Sequence, residues 1–122
     1  MTNQGRETSA DIPDRGFDSV LDYLLVIRRD FARLEMFIGE PRVQSMEGFI
    51  LGYRLCLSTR GNMDDRYLRF REWLREVKGE IISSEGWATK FLRDCGNDHV
   101  RAIRKLLDLA AEFHAMEQRG TC

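Results

Sequence analysis

From Val100 to Phe113 the residues Val100, Ile103, Leu106, Leu107, Ala110 and Phe113 recur at steps of three and four, with Arg101, Arg104, Lys105, Asp108 and Glu112 between them. On a helix the first set forms one face and the second set the other. A face this apolar has to be buried against a partner surface. Nowhere does the chain offer the strict apolar alternation between turn signals that marks a half-buried strand. The partner segments are therefore expected to be helices as well, and the architecture all-α: a compact bundle of about five helices in a single domain.

The other segments follow from the same periodicity. Residues 1–16 mix Gly, Ser, Thr, Asn and Pro with charges of both signs and offer no apolar face, which predicts a mobile tail ahead of a helical domain over 17–117. Val20, Leu21, Leu24, Leu25, Ile27, Phe31 and Leu34 mark a first helix, capped by Asp18 or Ser19 and stopped by Gly39 and Pro41. Ser45 is the expected N-cap of a second helix running to Leu57, with Phe49, Ile50, Tyr53 and Leu57 inward and Cys56 buried. Gly48 and Gly52 weaken that helix unless a neighbouring helix approaches closely there. Tyr67, Phe70, Leu74 and Val77 define a third helix over Asp64–Val77, ended by Gly79, with Arg66 and Glu72 outside the stripe and Trp73 beside it. Ser83, Ser84 and Glu85 suit the first turn of a short fourth helix that buries Trp87, Ala88, Phe91 and Leu92. Gly96 stops it, and Asn97 or Asp98 caps a fifth helix reaching Glu117. Residues 118–122 are expected to fray.

Composition narrows the function classes. Nineteen Lys and Arg stand against twenty Asp and Glu, for a net charge of −1. A general nucleic-acid binder needs a surplus of positive charge to displace counterions, so nucleic acid is not an expected partner. Arg66 to Arg75 with Trp73 would make a stacking surface, but Glu72 and Glu76 interrupt it. Three cysteines, Cys56, Cys95 and Cys122, form no paired spacing, which argues against a secreted disulfide framework. The polar N-terminus has no apolar signal region, and no run approaches the ~20 apolar residues of a membrane span. The expected setting is cytoplasmic, with no membrane contact.

Chemistry-bearing clusters are sparse. A metal centre needs three or four converging ligands, and the two histidines, His99 and His114, offer at best the pair Cys95 and His99. No HExxH pattern or glycine-rich phosphate loop is present. The acid pairs Asp64–Asp65 and Asp94/Asp98 lie where helix ends favour carboxylates for local reasons. The expectation is a non-catalytic chain without metal or cofactor.

Met36-Phe37-Ile38-Gly39, Phe49-Ile50-Leu51-Gly52-Tyr53, Phe70-Arg71-Glu72-Trp73-Leu74 and Gly86-Trp87-Ala88 follow one another in an order that resembles a family of small helical bacterial proteins, with Arg33-Leu34-Glu35 where that family often has an R-P-G turn. The likeness spans about Ile27 to Phe113. Such proteins resemble the single-domain immunity proteins of bacterial polymorphic toxin systems. The resemblance implies binding and neutralisation of a cognate toxin domain, without catalysis. Aromatic anchors would then be Tyr67, Trp73 and Trp87, since buried aromatics inside a polar rim carry most protein–protein binding energy. Glu80, Glu85, Asp94 and Asp98 would form an acidic neighbourhood able to mimic phosphate toward a basic nuclease. The alternative is a helical adaptor or regulatory module, as a homodimer, using the same aromatic surface.

Overall fold

The computed structural model describes residues 18–80 and 86–120, and among them there are helices and no strands. The chain order is α1 (Val20–Arg29), a 3-10 turn (Phe31–Arg33), α2 (Leu34–Ile38), α3 (Val43–Ser58), α4 (Asp65–Glu76), α5 (Gly86–Asp94) and α6 (His99–Gly120). The all-α expectation holds. The expected tail, the Ser83-Ser84-Glu85 cap and Cys122 lie outside the described residues.

α6 is the axis of the bundle, packing against α1, α3, α4 and α5. Its inner face, Ala102, Ile103, Leu106, Leu107, Leu109, Ala110 and Phe113, is buried along about three turns. Val100, expected inside, stands exposed in the first turn, and Leu109 takes a buried place instead. The helix also continues past Glu117 to Gly120, so the predicted fraying of 118–120 is not seen. Phe70 of α4 stacks on Trp73, and both rings meet Phe113, at 5.5 and 5.4 Å between centroids. Tyr23 of α1 is met edge-on by Phe37, Phe49 and Tyr53, which ties α1, α2 and α3 into a second aromatic cluster. Edge-to-face pairs of this kind add to the burial of the rings themselves.

The first helix is shorter than its periodicity suggested. α1 ends at Arg29, Asp30 leaves helical geometry at φ −114° and ψ 45°, and the chain re-enters helix only at Leu34. The turn lets Phe31 lie under the Arg104 guanidinium, 4.9 Å from the ring centre. At the other end, the Ser19 hydroxyl accepts the Leu21 N–H at 3.1 Å, as expected of a cap.

One buried carboxylate holds two helix starts. Asp64 accepts the Tyr67 N–H at 3.2 Å, capping α4, and the Val20 N–H at 2.8 Å, satisfying the first donor of α1 across 44 residues. Asn62 fixes this node: its side chain accepts the Asp64 N–H and donates to the Asp18 carbonyl. Asp64 adopts the left-handed conformation, φ 55°, which Asp tolerates better than most residues. Beyond the end of α4, Gly79 at φ +65° lets the Glu80 N–H turn back to the Leu74 carbonyl at 2.8 Å.

Three further expectations are corrected. Gly48 and Gly52 face open space, with nothing among the described residues within 4 Å of where a side chain would begin, so no described helix explains them. Cys56 is exposed rather than buried, because the inward face of α3 is Val43, Met46, Ile50 and Leu57. Val77 stands exposed at the end of α4, where the stripe runs out beyond the core.

Candidate functional site

A groove of about 480 Å³ opens between α3, α4 and the start of α5, lined by Gln44, Glu47, Gly48, Ile50, Leu51, Arg54, Tyr67, Arg71, Gly86 and Trp87. Tyr67 and Trp87, two of the three expected anchors, form its inner wall. They are 4% and 7% exposed, so they belong to the core and show only their margins. Trp73 is elsewhere: it is buried against Phe70 and Phe113, with the Lys78 ammonium 5.6 Å from its ring centre. All three rings are buried, Tyr67 and Trp87 as the apolar faces of α4 and α5 lead one to expect. The periodicity that left Trp73 beside the stripe missed that α6 supplies Phe113 on that side.

The charge in the groove is carried by Arg54 and Arg71 against Glu47. The Arg54 guanidinium lies 4.8 Å from the centre of the Tyr67 ring, a cation–π geometry, and its Nε is buried without a hydrogen-bond partner among the described residues. Burial pushes the Tyr67 phenol above its ordinary value, and it outweighs the opposite pull of Arg71 and Arg54. Two arginines, one of them over an aromatic ring, beside one carboxylate suit a segment with apolar side chains and net negative charge.

The acidic neighbourhood does not form as expected. Glu80 and Asp94 do come together, but Lys90 sits between them at 3.2 and 2.6 Å, and Lys105 reaches both at 3.2 and 3.5 Å. For Glu80, burial raises the carboxyl, but hydrogen bonds from Lys105 and Lys90 win and hold it below the usual range; Asp94 is lowered first by its bond from Lys90. Carboxylates satisfied in this way are poor phosphate mimics. Asp98 instead caps α6, accepting the Arg101 N–H at 3.1 Å, and Glu85 lies outside the described residues.

His99 also has a structural task. Its Nδ1 accepts the Val43 N–H at 3.2 Å and so caps α3 from the first turn of α6. Among the described residues no group of three or more His, Cys, Asp or Glu side chains is placed to hold a metal ion. Arg66, which the periodicity put on the outside, is a hub: it donates to Asp22 at 2.7 Å and Glu117 at 2.9 Å and meets His114 Nδ1 at 2.9 Å. Burial opposes its charge, yet the bonds to Asp22 and Glu117 raise its pKa.

The residues that sequence reasoning missed are Arg54, Arg71, Leu51 and Leu55. Their signal was available in α3, which carries only Glu47 and Arg54 as charges in sixteen residues and so lacks a charged outer face. No family model, curated protein or solved structure matches this chain.

Proposed function

We propose that this chain is a non-catalytic protein-binding domain that takes a segment of its partner in the groove between α3, α4 and α5. The observation that carries the reading is the groove's composition, with Tyr67 and Trp87 inside and the Arg54 and Arg71 guanidiniums at its edge. Arginine over aromatic rings is the chemistry that dominates protein interfaces. Among the described residues the groove is lined by no cysteine, serine or histidine that could pair as nucleophile and base. The partner segment that fits is apolar with acidic flanks.

In the form the sequence resemblance implies, the partner is a cognate toxin domain and the chain is its immunity protein, acting in the cytoplasm. Among the described residues no helix is long and apolar enough to cross a membrane. The test is co-expression with the product of the adjacent reading frame, scoring growth and recovery of a complex. Rescue by the wild type and its loss in Arg71→Glu is the expected result. Failure of both rescue and complex formation removes the immunity reading. The uncharged outer side of α3 favours a second reading, a self-associating adaptor or regulatory module, which would bind an acidic segment without rescuing growth.

A further inference from the structure

The charges that line the groove stand apart from the ion pairs of the fold. Glu47 and Arg71 are exposed and, with Arg54, form no ion pair among the described residues, whereas Asp22, Arg66, Glu80 and Lys90 are each paired. The groove therefore offers two bases and one acid beside the rings of Tyr67 and Trp87. The chain ahead of α1 carries the opposite set. Asp11-Ile12-Pro13-Asp14-Arg15 places an apolar pair between two acids, followed by one base.

We propose that the segment Asp11–Arg15 occupies the groove of its own chain and competes there with the foreign segment, an autoinhibitory contact that rests on the groove being a binding site. Ile12 and Pro13 lie on the margins of Tyr67 and Trp87, with a flanking acid on Arg71. The fold delivers the chain to the right place. One carboxylate, Asp64, accepts both the Val20 N–H and the Tyr67 N–H, and Asn62 holds the Asp18 carbonyl at 2.7 Å. Residues 1–17 thus join the described chain at the foot of α4, and Tyr67 and Arg71 follow Asp64 at three and seven residues, on one face of that helix. Arg71 lies about 10 Å from Asp64 along the helix axis, at a rise of 1.5 Å per residue. The four residues back to Asp14 span up to about 14 Å from Asp18, and the seven back to Asp11 up to about 25 Å. The segment therefore reaches Arg71 with length to spare.

Tethering makes a weak contact count. A short linker holds its segment at an effective concentration of about 1 mM, so a segment with a dissociation constant of about 0.1 mM fills about nine grooves in ten. A foreign segment then finds about one groove in ten open, and its apparent affinity drops about tenfold. Capture of a partner is set by how far its segment outcompetes the chain's own. The groove thereby selects a partner that offers the same apolar and acidic pattern more strongly.

A fluorescent peptide of residues 8–17 is the probe, titrated by anisotropy with the full chain and its variants. The full chain carrying Asp11→Lys and Asp14→Lys together, whose own segment no longer competes, is expected to bind the peptide about tenfold more tightly than the wild type does. Arg71→Glu added to that variant abolishes peptide binding while the far-UV spectrum stays helical. Arg71→Lys keeps the charge and supplies an amine that a carbodiimide joins to Asp11 or Asp14 at zero length, and mass spectrometry should find that cross-link within single chains. No peptide binding by the tail variant, equal binding by variant and wild type, or binding indifferent to Arg71→Glu each overturns the proposal. Cross-links between isotopically labelled and unlabelled chains overturn it too, and give the groove to the segment of a second copy. The groove reading fails separately, when Arg71→Glu in the otherwise wild-type chain leaves capture of the adjacent gene product intact. Capture that depends on Arg71 without any binding of the peptide sinks the tail contact alone.

Discussion

Replacing Asp64 by alanine should be the most damaging single substitution at a polar position in this protein. The carboxylate is 1% exposed and accepts two main-chain donors, Val20 N–H at 2.8 Å and Tyr67 N–H at 3.2 Å, each at the start of a different helix. Losing one helix cap costs about 0.5–2 kcal/mol, and here two are lost together with no water to replace them. Alanine in the left-handed conformation that Asp64 adopts adds about 1 kcal/mol. The sum is about 2–5 kcal/mol, a large part of the roughly 5–15 kcal/mol that holds a domain together. Asp64→Asn tolerates the backbone and keeps one acceptor oxygen, so it should cost about 1–2 kcal/mol. Ser19→Ala, which removes a single bond, should cost less again. Urea unfolding followed by far-UV circular dichroism gives each value from the linear dependence of stability on denaturant. A loss below about 1 kcal/mol for Asp64→Ala would refute the double-cap argument, because two orphaned buried donors cannot be that cheap.

The hub at Arg66 predicts that Arg66→Met costs about 2–3 kcal/mol, between the values for exposed and fully buried ion pairs, since its side chain is 21% exposed; Arg66→Lys should recover only part, lacking the forked geometry. Equilibrium unfolding measures both. The cluster of Glu80, Asp94, Lys90 and Lys105 predicts a pH dependence whose sign is set by the lowered carboxyl pKa values. Its contribution is fully present above the ordinary values of 4.5 for Glu80 and 3.8 for Asp94, and it is lost as pH falls through the lower values of the folded state. Thermal melts of the wild type and Lys90→Met through that acid range should converge as the pH drops; parallel curves would mean that the cluster contributes nothing. Cys56 is exposed and Cys95 half-buried, so a thiol reagent under native conditions should modify Cys56 first, read by mass spectrometry. Equal rates would contradict the orientation of α3.

Much of the fold was legible because helical periodicity is a local property. The stripe Ile103, Leu106, Leu107, Ala110 and Phe113, the Ser19 and Asp98 caps, and the turns at Gly39 and Gly79 each depend on a few neighbouring residues. The pair Arg104–Asp108 forms at 3.3 Å for the same reason, its members being one turn apart. Where α1 breaks at Asp30 was not legible: the gain from seating Phe31 against Arg104 belongs to α6, which follows much later in the chain.

The candidate site was read less well, because exposure is decided by what packs on a residue rather than by its type. Tyr67, Trp73 and Trp87 have interface chemistry, yet α6 and its neighbours take them into the core. The acids Glu80 and Asp94 are adjacent as supposed, but Lys90 and Lys105 converge on them from α5 and α6 and cancel the charge. From its residues alone this chain is a helical domain with α6 as its longest amphipathic face, since local steric and hydrophobic preferences suffice for that. Only the tertiary structure decided that one carboxylate starts two helices, that α3 keeps Leu51 and Leu55 outside, and that Arg54 lies over Tyr67 in a groove that Arg71 also lines. Each of these depends on groups distant in sequence, whose meeting is set by how whole helix faces share one limited core.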